Sequence, residues 1–245
     1  MLNKNSPQNA GNGKIAALAG LSHLAFIMDG NGRWATAKGK GREYGHKHGA
    51  EAFKRVLKYG EKIGLKTLTF YAFSTENWKR PKSEVDAIIK LLDSYLDELI
   101  KEASKAYARF VFIGNVDVLD PSIVQKIRYI EKISPSTEYT VNIAFNYGGR
   151  DEIVHACNKL IESGKTNISE SDISGALYTK DSCDPDMIVR TGGDLRISNF
   201  LLWQAAYAEL YFTDILWPDI TESDIDLMVE SFAKRKRRFG GLDKE

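Results

Sequence analysis

Cysteine is nearly absent. Two thiols in 245 residues, Cys157 and Cys183, are too few for a disulfide scaffold and lack the spacing of a thiolate metal site, which predicts a reducing, cytoplasmic setting. Net charge is nearly absent as well: 34 Lys and Arg against 33 Asp and Glu leave +1. A chain so balanced has no basic field with which to grip nucleic acid, and any anion site has to be local. Long apolar runs are missing. None approaches the ~20 residues that span a bilayer, and the first residues lack a signal-peptide core followed by a small-residue cleavage site. Internal repeats and linkers are missing too. Residues 1–20, rich in Asn, Gly, Ala and Ser without periodicity, read as a mobile extension without chemistry. Residues 21–245 then form one domain, and an apolar content of 43% suffices for one sizeable core.

What is present is an alternation of short apolar runs with longer segments of helical period, the pattern of βαβ units. Strands are predicted at Leu24–Met28, Thr67–Ala72, Phe110–Ile113, Thr140–Ala144, Met187–Arg190 and Glu209–Phe212. Helices are predicted at His48–Ile63, Ser83–Tyr107, Pro121–Ile133, Arg150–Ser163 and Glu222–Lys236, with a short one after Ser169. The fold class is therefore α/β, a central and mainly parallel six-stranded sheet flanked by helices. Cys157 joins Ile153, Val154, Leu160 and Ile161 on one helical face and reads as core. The helix from Ser83 carries a broad apolar face of Val85, Ile88, Ile89, Leu92, Leu96, Leu99 and Ile100. Such a face can simply cover the sheet or also wall an apolar channel, and periodicity does not separate the two.

Chemistry concentrates where strands end. The first strand runs into Asp29-Gly30-Asn31-Gly32-Arg33-Trp34. The glycines let the backbone bend and aim N–H groups at an anion, Arg33 adds a charge-assisted contact, and Asp29 beside a phosphate calls for a divalent cation between them. The bland alternative is an ordinary turn, since turns favour these residue types. Arg42, His46 and His48 bracket a glycine-punctuated helix start and read as a group as further phosphate contacts. A third segment, Ser74-Thr75-Glu76-Asn77-Trp78-Lys79-Arg80-Pro81, crowds hydroxyls, a carboxylate, an amide, an indole and a guanidinium into one loop. Each of these alone is more often a satisfied local hydrogen-bonding group. The last cluster runs from Arg190 through Gly192-Gly193 to Arg196, Ile197 and Ser198, and its guanidinium forks suit a second diphosphate. Glu209 sits among apolar neighbours, and a buried acid needs a cation or donor, so a metal role is expected of it.

Five segments carry a resemblance: His-Leu-Ala-Phe-Ile-Met-Asp-Gly-Asn-Gly-Arg-Trp, Ser-Thr-Glu-Asn-Trp-Lys-Arg-Pro, Asn146-Tyr147-Gly148-Gly149-Arg150, Arg-Thr-Gly-Gly, and Tyr-Ala-Glu-Leu-Tyr-Phe-Thr. From His23 to Gly241 the chain resembles the cis-prenyltransferase family. The resemblance implies sequential cis-condensation of isopentenyl diphosphate onto an allylic diphosphate such as farnesyl diphosphate. The product would be a long-chain polyprenyl diphosphate, undecaprenyl diphosphate in bacterial cell-wall lipid synthesis. It implies a homodimer, a hydrophobic tunnel between the sheet and two helices, and product release at the membrane surface. By the same resemblance Asp29 is the essential acid holding Mg2+ at the allylic diphosphate, with Gly30, Asn31, Gly32, Arg33, Trp34, Arg42 and His46 around it. Ser74, Thr75, Glu76, Trp78 and Arg80 form a substrate loop with Asn77 as proton acceptor. Arg190, Arg196, Ile197 and Ser198 hold isopentenyl diphosphate, Glu209 is a second metal ligand, and Arg238-Phe239-Gly240 reaches a partner subunit. Asp194, where the family commonly has glutamate, and the family-variable Leu195 are mild departures, and the Asp-Asp-x-x-Asp repeats of trans-type synthases are absent. Two rivals remain: a phosphotransferase or phosphatase with Asp29 as nucleophile, which would want a second acid where Asn31 stands, and a non-catalytic subunit of a heteromeric enzyme.

Overall fold

The computed structural model describes residues 15–102, 108–135 and 137–236. Six strands, β1 (His23–Ile27), β2 (Thr67–Ser74), β3 (Arg109–Ile113), β4 (Thr140–Tyr147), β5 (Met187–Arg190) and β6 (Glu209–Phe212), form one sheet in the order β3-β4-β2-β1-β5-β6. Every pairing is parallel. A parallel sheet is covered on both faces, so β1 and β5 are buried along their whole length and are apolar except for His23 at the start of β1 and Arg190 at the end of β5. Successive residues still point to opposite faces. Leu24 and Phe26 enter the larger core, while Ala25 and Ile27 enter a smaller one with Tyr147, Phe200 and Leu201.

Helices α1 (Ile15–Leu18), α2 (Asn31–Ala37), α3 (Arg42–Lys62), α4 (Lys82–Glu102), α5 (Pro121–Ile133), α6 (Gly149–Glu162), α7 (Glu170–Ala176) and α8 (Glu222–Ala233) complete the chain. Four expectations need correction. The segment up to residue 20 is not all extension: the Ala16 N–H donates to the Ile63 carbonyl, and Ala16 and Leu21 are fully buried. The expected Asp29-Gly30-Asn31-Gly32 turn is cut short, because helix α2 already begins at Asn31. Helix α3 starts at Arg42 rather than His48, which puts Arg42 and His46 in its first turns rather than ahead of it. On α6, Val154 and Ile161 face solvent, and the inward stripe is Glu152, Ala156 and their neighbours, with Cys157 only half-buried.

From β1 the chain moves one way to β2, and the later crossover from β4 to β5 returns to the other side of β1. The reversal opens a crevice beyond the carboxyl ends of β1 and β5, the place where open α/β sheets hold ligands. The opposite end of the sheet is sealed. His23 is buried, with Nδ1 2.7 Å from the Cys183 carbonyl and Nε2 2.7 Å from Thr69 Oγ1. Burial drives its pKa down from 6.5 to about 4, against the Cys183 carbonyl and Asp186, which raise it. Between those pH values the unfolded chain takes up a proton that the folded chain refuses, so stability falls on acidification. The full loss is roughly 3 kcal/mol. Urea unfolding at stepped pH should show this fall, and in His23→Gln the slope should flatten; equal slopes in both proteins would remove His23 as the cause.

Candidate active site

Asp29 follows β1 directly. Its carbonyl accepts from the Trp217 N–H at 3.0 Å and from Thr191 Oγ1 at 2.8 Å, which fixes the backbone between β5 and the chain ahead of α8. Gly30 then turns left-handed at φ 107° to start α2; a Cβ there would press on Leu216 at 2.8 Å. The Asp29 carboxylate is 29% exposed. Its Oδ1 accepts from the Gly30 N–H at 2.6 Å and lies 3.3 Å from Arg33, and its Oδ2 accepts from Arg190 Nη2 at 2.9 Å. Burial works to raise its pKa, but the Arg190 hydrogen bond and charge, the Gly30 N–H and Arg33 outweigh it and hold the carboxyl below its ordinary value.

Arg190 is the hub of the cleft. Only 5% exposed at the end of β5, it donates through Nη1 to the Arg196 carbonyl and Ser198 Oγ, both at 2.6 Å, and through Nη2 to Asp29 and to Asp194 at 3.1 Å. Arg196 donates to the same Asp194 oxygen at 2.6 Å. The Gly192-Gly193 turn lets this segment lie on the Asp29 backbone, since a Cβ on Gly192 would come within 3.1 Å of the Asp29 carbonyl carbon. Ser198, Asn199 and Leu201 all adopt positive φ. Left-handed non-glycine residues clustered beside a cleft are strain of the kind found at functional sites. Ile197 differs from expectation: its side chain packs on the smaller core rather than lining the cleft.

The loop after β2 forms the facing wall. The Ser74 N–H donates to Asn77 Oδ1 at 3.0 Å. The amide oxygen of Asn77 thus accepts one backbone N–H, while its own N–H donors stay available to a ligand at the cleft. Asn199 Nδ2 donates to Glu76 at 3.0 Å, while the Arg150 N–H donates to Asn199 Oδ1 at 3.0 Å. Thr75 lies against Gly148, where a Cβ would meet its hydroxyl at 2.8 Å. Trp78 donates from its indole to Asn146 Oδ1 at 2.7 Å. The segment from Asn146 to Arg150 is thus the seat on which this loop rests.

A cavity of about 880 Å³ is bounded by Asp29, Arg33, Arg190, Arg196 and Ser198 on one side and by Ser74, Glu76, Asn77 and Arg80 on the other. Behind it lies an apolar pocket of about 120 Å³ between β2, β4, α3 and α4, with Phe53, Leu91, Leu92 and Phe145 in its wall. Met28, Asn31, His46, Ala72 and Ile88 line both cavities. The long helix therefore covers the sheet and walls an apolar recess. Asn31 reaches this junction because Gly45 and Gly49 of α3 present no side chain to it. His46 has its pKa lowered by burial, against Glu84, which raises it. Glu84 itself, with Arg42, His46 and Arg80 around it, is a member of the site that the sequence reading missed.

Two further expected members, Trp34 and Glu209, stand away from the cleft. Trp34 is buried, donates to Asp219 at 2.6 Å and packs against Tyr44 and His48, which makes it a structural anchor. Glu209 begins edge strand β6, is 28% exposed and pairs with Arg235 at 2.6 Å, so the burial on which its metal role rested is not observed. Its register partner is Met187, at the end of β5 away from Arg190. Arg238-Phe239-Gly240 falls outside the described residues.

Among the described residues no cluster of three or more His, Cys, Asp and Glu side chains forms a cage for a metal. The arrangement still fits magnesium, which takes one or two carboxylates and completes its shell with substrate phosphate and water. Asp29 and Asp194 meet across a single nitrogen of Arg190 at the cleft.

Residues 27–240 match the prenyltransferase family described as putative undecaprenyl diphosphate synthase. An isoprenyl transferase of Fusobacterium nucleatum is 49% identical, over 90% of this chain and 96% of its own length. A Pasteurella multocida protein named ditrans,polycis-undecaprenyl-diphosphate synthase, farnesyl-diphosphate specific, is 45% identical over 90% of this chain and 95% of that one. The crystal structure of a probable undecaprenyl diphosphate synthase from Campylobacter jejuni superposes with a TM-score of 0.76 at 36% identity, covering 90% of this chain and 98% of that one.

Proposed function

The chain belongs to the prenyltransferase family of putative undecaprenyl diphosphate synthases, and from that premise we propose that it adds isopentenyl diphosphate in cis, repeatedly, to farnesyl diphosphate. The product is a long-chain polyprenyl diphosphate, undecaprenyl diphosphate, of use as a cell-wall lipid carrier. One observation carries the reading: a cation-lined cleft shares a wall with an apolar pocket, Met28, His46, Ala72 and Ile88 belonging to both. A ligand with a diphosphate head and an isoprenoid tail matches that pair.

In this mechanism Arg190, Arg196 and Ser198 bind the diphosphate of isopentenyl diphosphate, and Arg33, Arg42, His46 and Arg80 bind that of the allylic substrate. Guanidinium forks aimed at the departing pyrophosphate stabilise the charge that develops as the allylic C–O bond breaks. Asp29 would hold magnesium, with Asp194 as the second carboxylate; when bound, the ion supplies charge neutralisation on the leaving group. The isopentenyl double bond supplies the electrons for the new C–C bond, and a proton then leaves the resulting cation. Asn77 orients the acceptor of that proton through its amide N–H groups. Each added unit moves five carbons into the recess, stabilising the intermediate by about 4 kcal/mol at ~0.8 kcal/mol per methylene.

The reading includes a homodimer, supported by the place of β6 at one edge of the sheet with Leu210 exposed. It also includes product release at a membrane surface, because the tail is insoluble in water. No described helix is long and apolar enough to cross a membrane. The test is incubation of the purified protein with labelled isopentenyl diphosphate, farnesyl diphosphate and magnesium, followed by chromatographic sizing. A ladder rising in five-carbon steps is expected; free phosphate alone, or no lipid from the protein on its own, contradicts the reading.

The shared wall also sets product length. Ala72→Phe should plug the junction between cleft and recess, giving shorter products and a KM for farnesyl diphosphate raised about tenfold, because the primer's own tail passes the same point. Full-length product from the variant would remove the recess as the tail's path.

A further inference from the structure

We infer that Glu84 is the positioning residue that holds the basic side chains of the allylic-diphosphate wall, Arg42, His46 and Arg80, at the cleft; the inference rests on the prenyl-transfer reading above. Glu84 occupies the first turn of α4 and its side chain is only 8% exposed. Its Oε2 stands 3.2 Å from Arg42 Nε, and its Oε1 stands 3.0 Å from Arg80 Nη1 and 3.5 Å from His46 Nε2. These three side chains come from two parts of the chain. Arg42 and His46 lie on α3, and Arg80 closes the loop that follows β2.

A carboxylate beside a phosphate site is unfavourable unless it does something for the cations there. Glu84 does not neutralise the wall, because one negative charge faces two guanidinium groups and an imidazole. It takes Arg42 by Nε and Arg80 by one Nη, which leaves the remaining N–H donors of both forks for a ligand. Arg42 is held from a second side as well, since a Cβ on Gly32 would come within 3.0 Å of its Nε and 3.1 Å of its Cζ. The arm thus lies between α4 and the first turn of α2. His46 and Arg80 line the cavity itself, and the buried His46 Nε2 makes no hydrogen bond among the described residues. Two long side chains fixed in place before the ligand arrives lose less rotamer freedom on binding it, which is how a group that never touches the substrate adds affinity.

Glu84→Gln keeps the shape and removes the charge. KM for the allylic diphosphate is expected to rise about tenfold, with KM for isopentenyl diphosphate within about twofold of normal. Inorganic pyrophosphate, titrated calorimetrically, should bind the variant more weakly. An unchanged allylic KM in a folded variant overturns the inference, as does an equal rise for both substrates, which would mark a merely structural role. Should Glu84→Gln not fold, Glu84→Asp decides the matter by withdrawing the charge one methylene: a raised allylic KM supports the inference and an unchanged one overturns it. If wild-type protein bound pyrophosphate yet made no lipid, the prenyl-transfer reading would fall, and the ratio of the two pyrophosphate affinities would still decide the role of Glu84.

Discussion

Asp29→Ala is expected to abolish condensation, with a fall in kcat of at least about 10³-fold while the circular-dichroism spectrum and unfolding midpoint stay near those of the wild type. The carboxylate stands at the turn between β1 and α2, partly in solvent, and its partners there are Arg33, Arg190 and the Gly30 N–H. Removing it leaves Arg190 still bound to Asp194, the Arg196 carbonyl and Ser198, so the buried guanidinium keeps acceptors and the fold survives. Asp29→Asn, which fills the same space without the charge, should lose nearly as much activity. Single-turnover incorporation of labelled isopentenyl diphosphate measures both. Near-normal turnover in a folded Asp29→Ala protein would remove this residue from the chemistry.

Arg190→Ala has the second large effect, and here stability falls together with activity. Without Arg190, Asp29 and Asp194 face one another across a gap that no longer holds a cation, and the Arg196 carbonyl and Ser198 lose their donor. Breaking a buried ion pair from one side costs about 3–5 kcal/mol. Both acids keep some contact with water here, so roughly 2–3 kcal/mol is expected, read as a lowered urea midpoint at unchanged m-value. Arg190→Lys should not restore activity, because an ammonium cannot serve four acceptors spread around a planar fork. A variant within about 1 kcal/mol of the wild type would show that the arginine does not organise the cleft.

The sheet was legible because buried parallel strands print themselves as apolar runs, and all six fell within a few residues of the predicted bounds. Asp29, Arg190, Ser74 and Arg80 were legible because each ends or follows a strand, where the topology gathers ligands. Other parts were hidden for identifiable reasons. Asn-Gly-Arg-Trp-Ala-Thr-Ala has the residues of a turn and is nevertheless helix α2, stabilised by the close approach to α3 that Gly45 and Gly49 permit. Trp34 sits inside a motif, but its indole serves Asp219, far along the chain. Glu209 looked buried because its sequence neighbours are apolar; a strand at a sheet edge leaves such an acid partly in water, and the cation beside it, Arg235, lies beyond α8. Glu84 left no signal at all, since an acid in the first turn of a helix is ordinary on electrostatic grounds. Only the folded chain brings it to Arg42, His46 and Arg80.

The most direct test of the account is electron paramagnetic resonance of Mn2+ titrated into the protein with a non-reactive thio analogue of farnesyl diphosphate. Tight binding of the ion only when protein and analogue are both present, lost in Asp29→Asn, is the result predicted. Equal Mn2+ affinity in wild type and Asp29→Asn, or binding indifferent to the diphosphate, would contradict it.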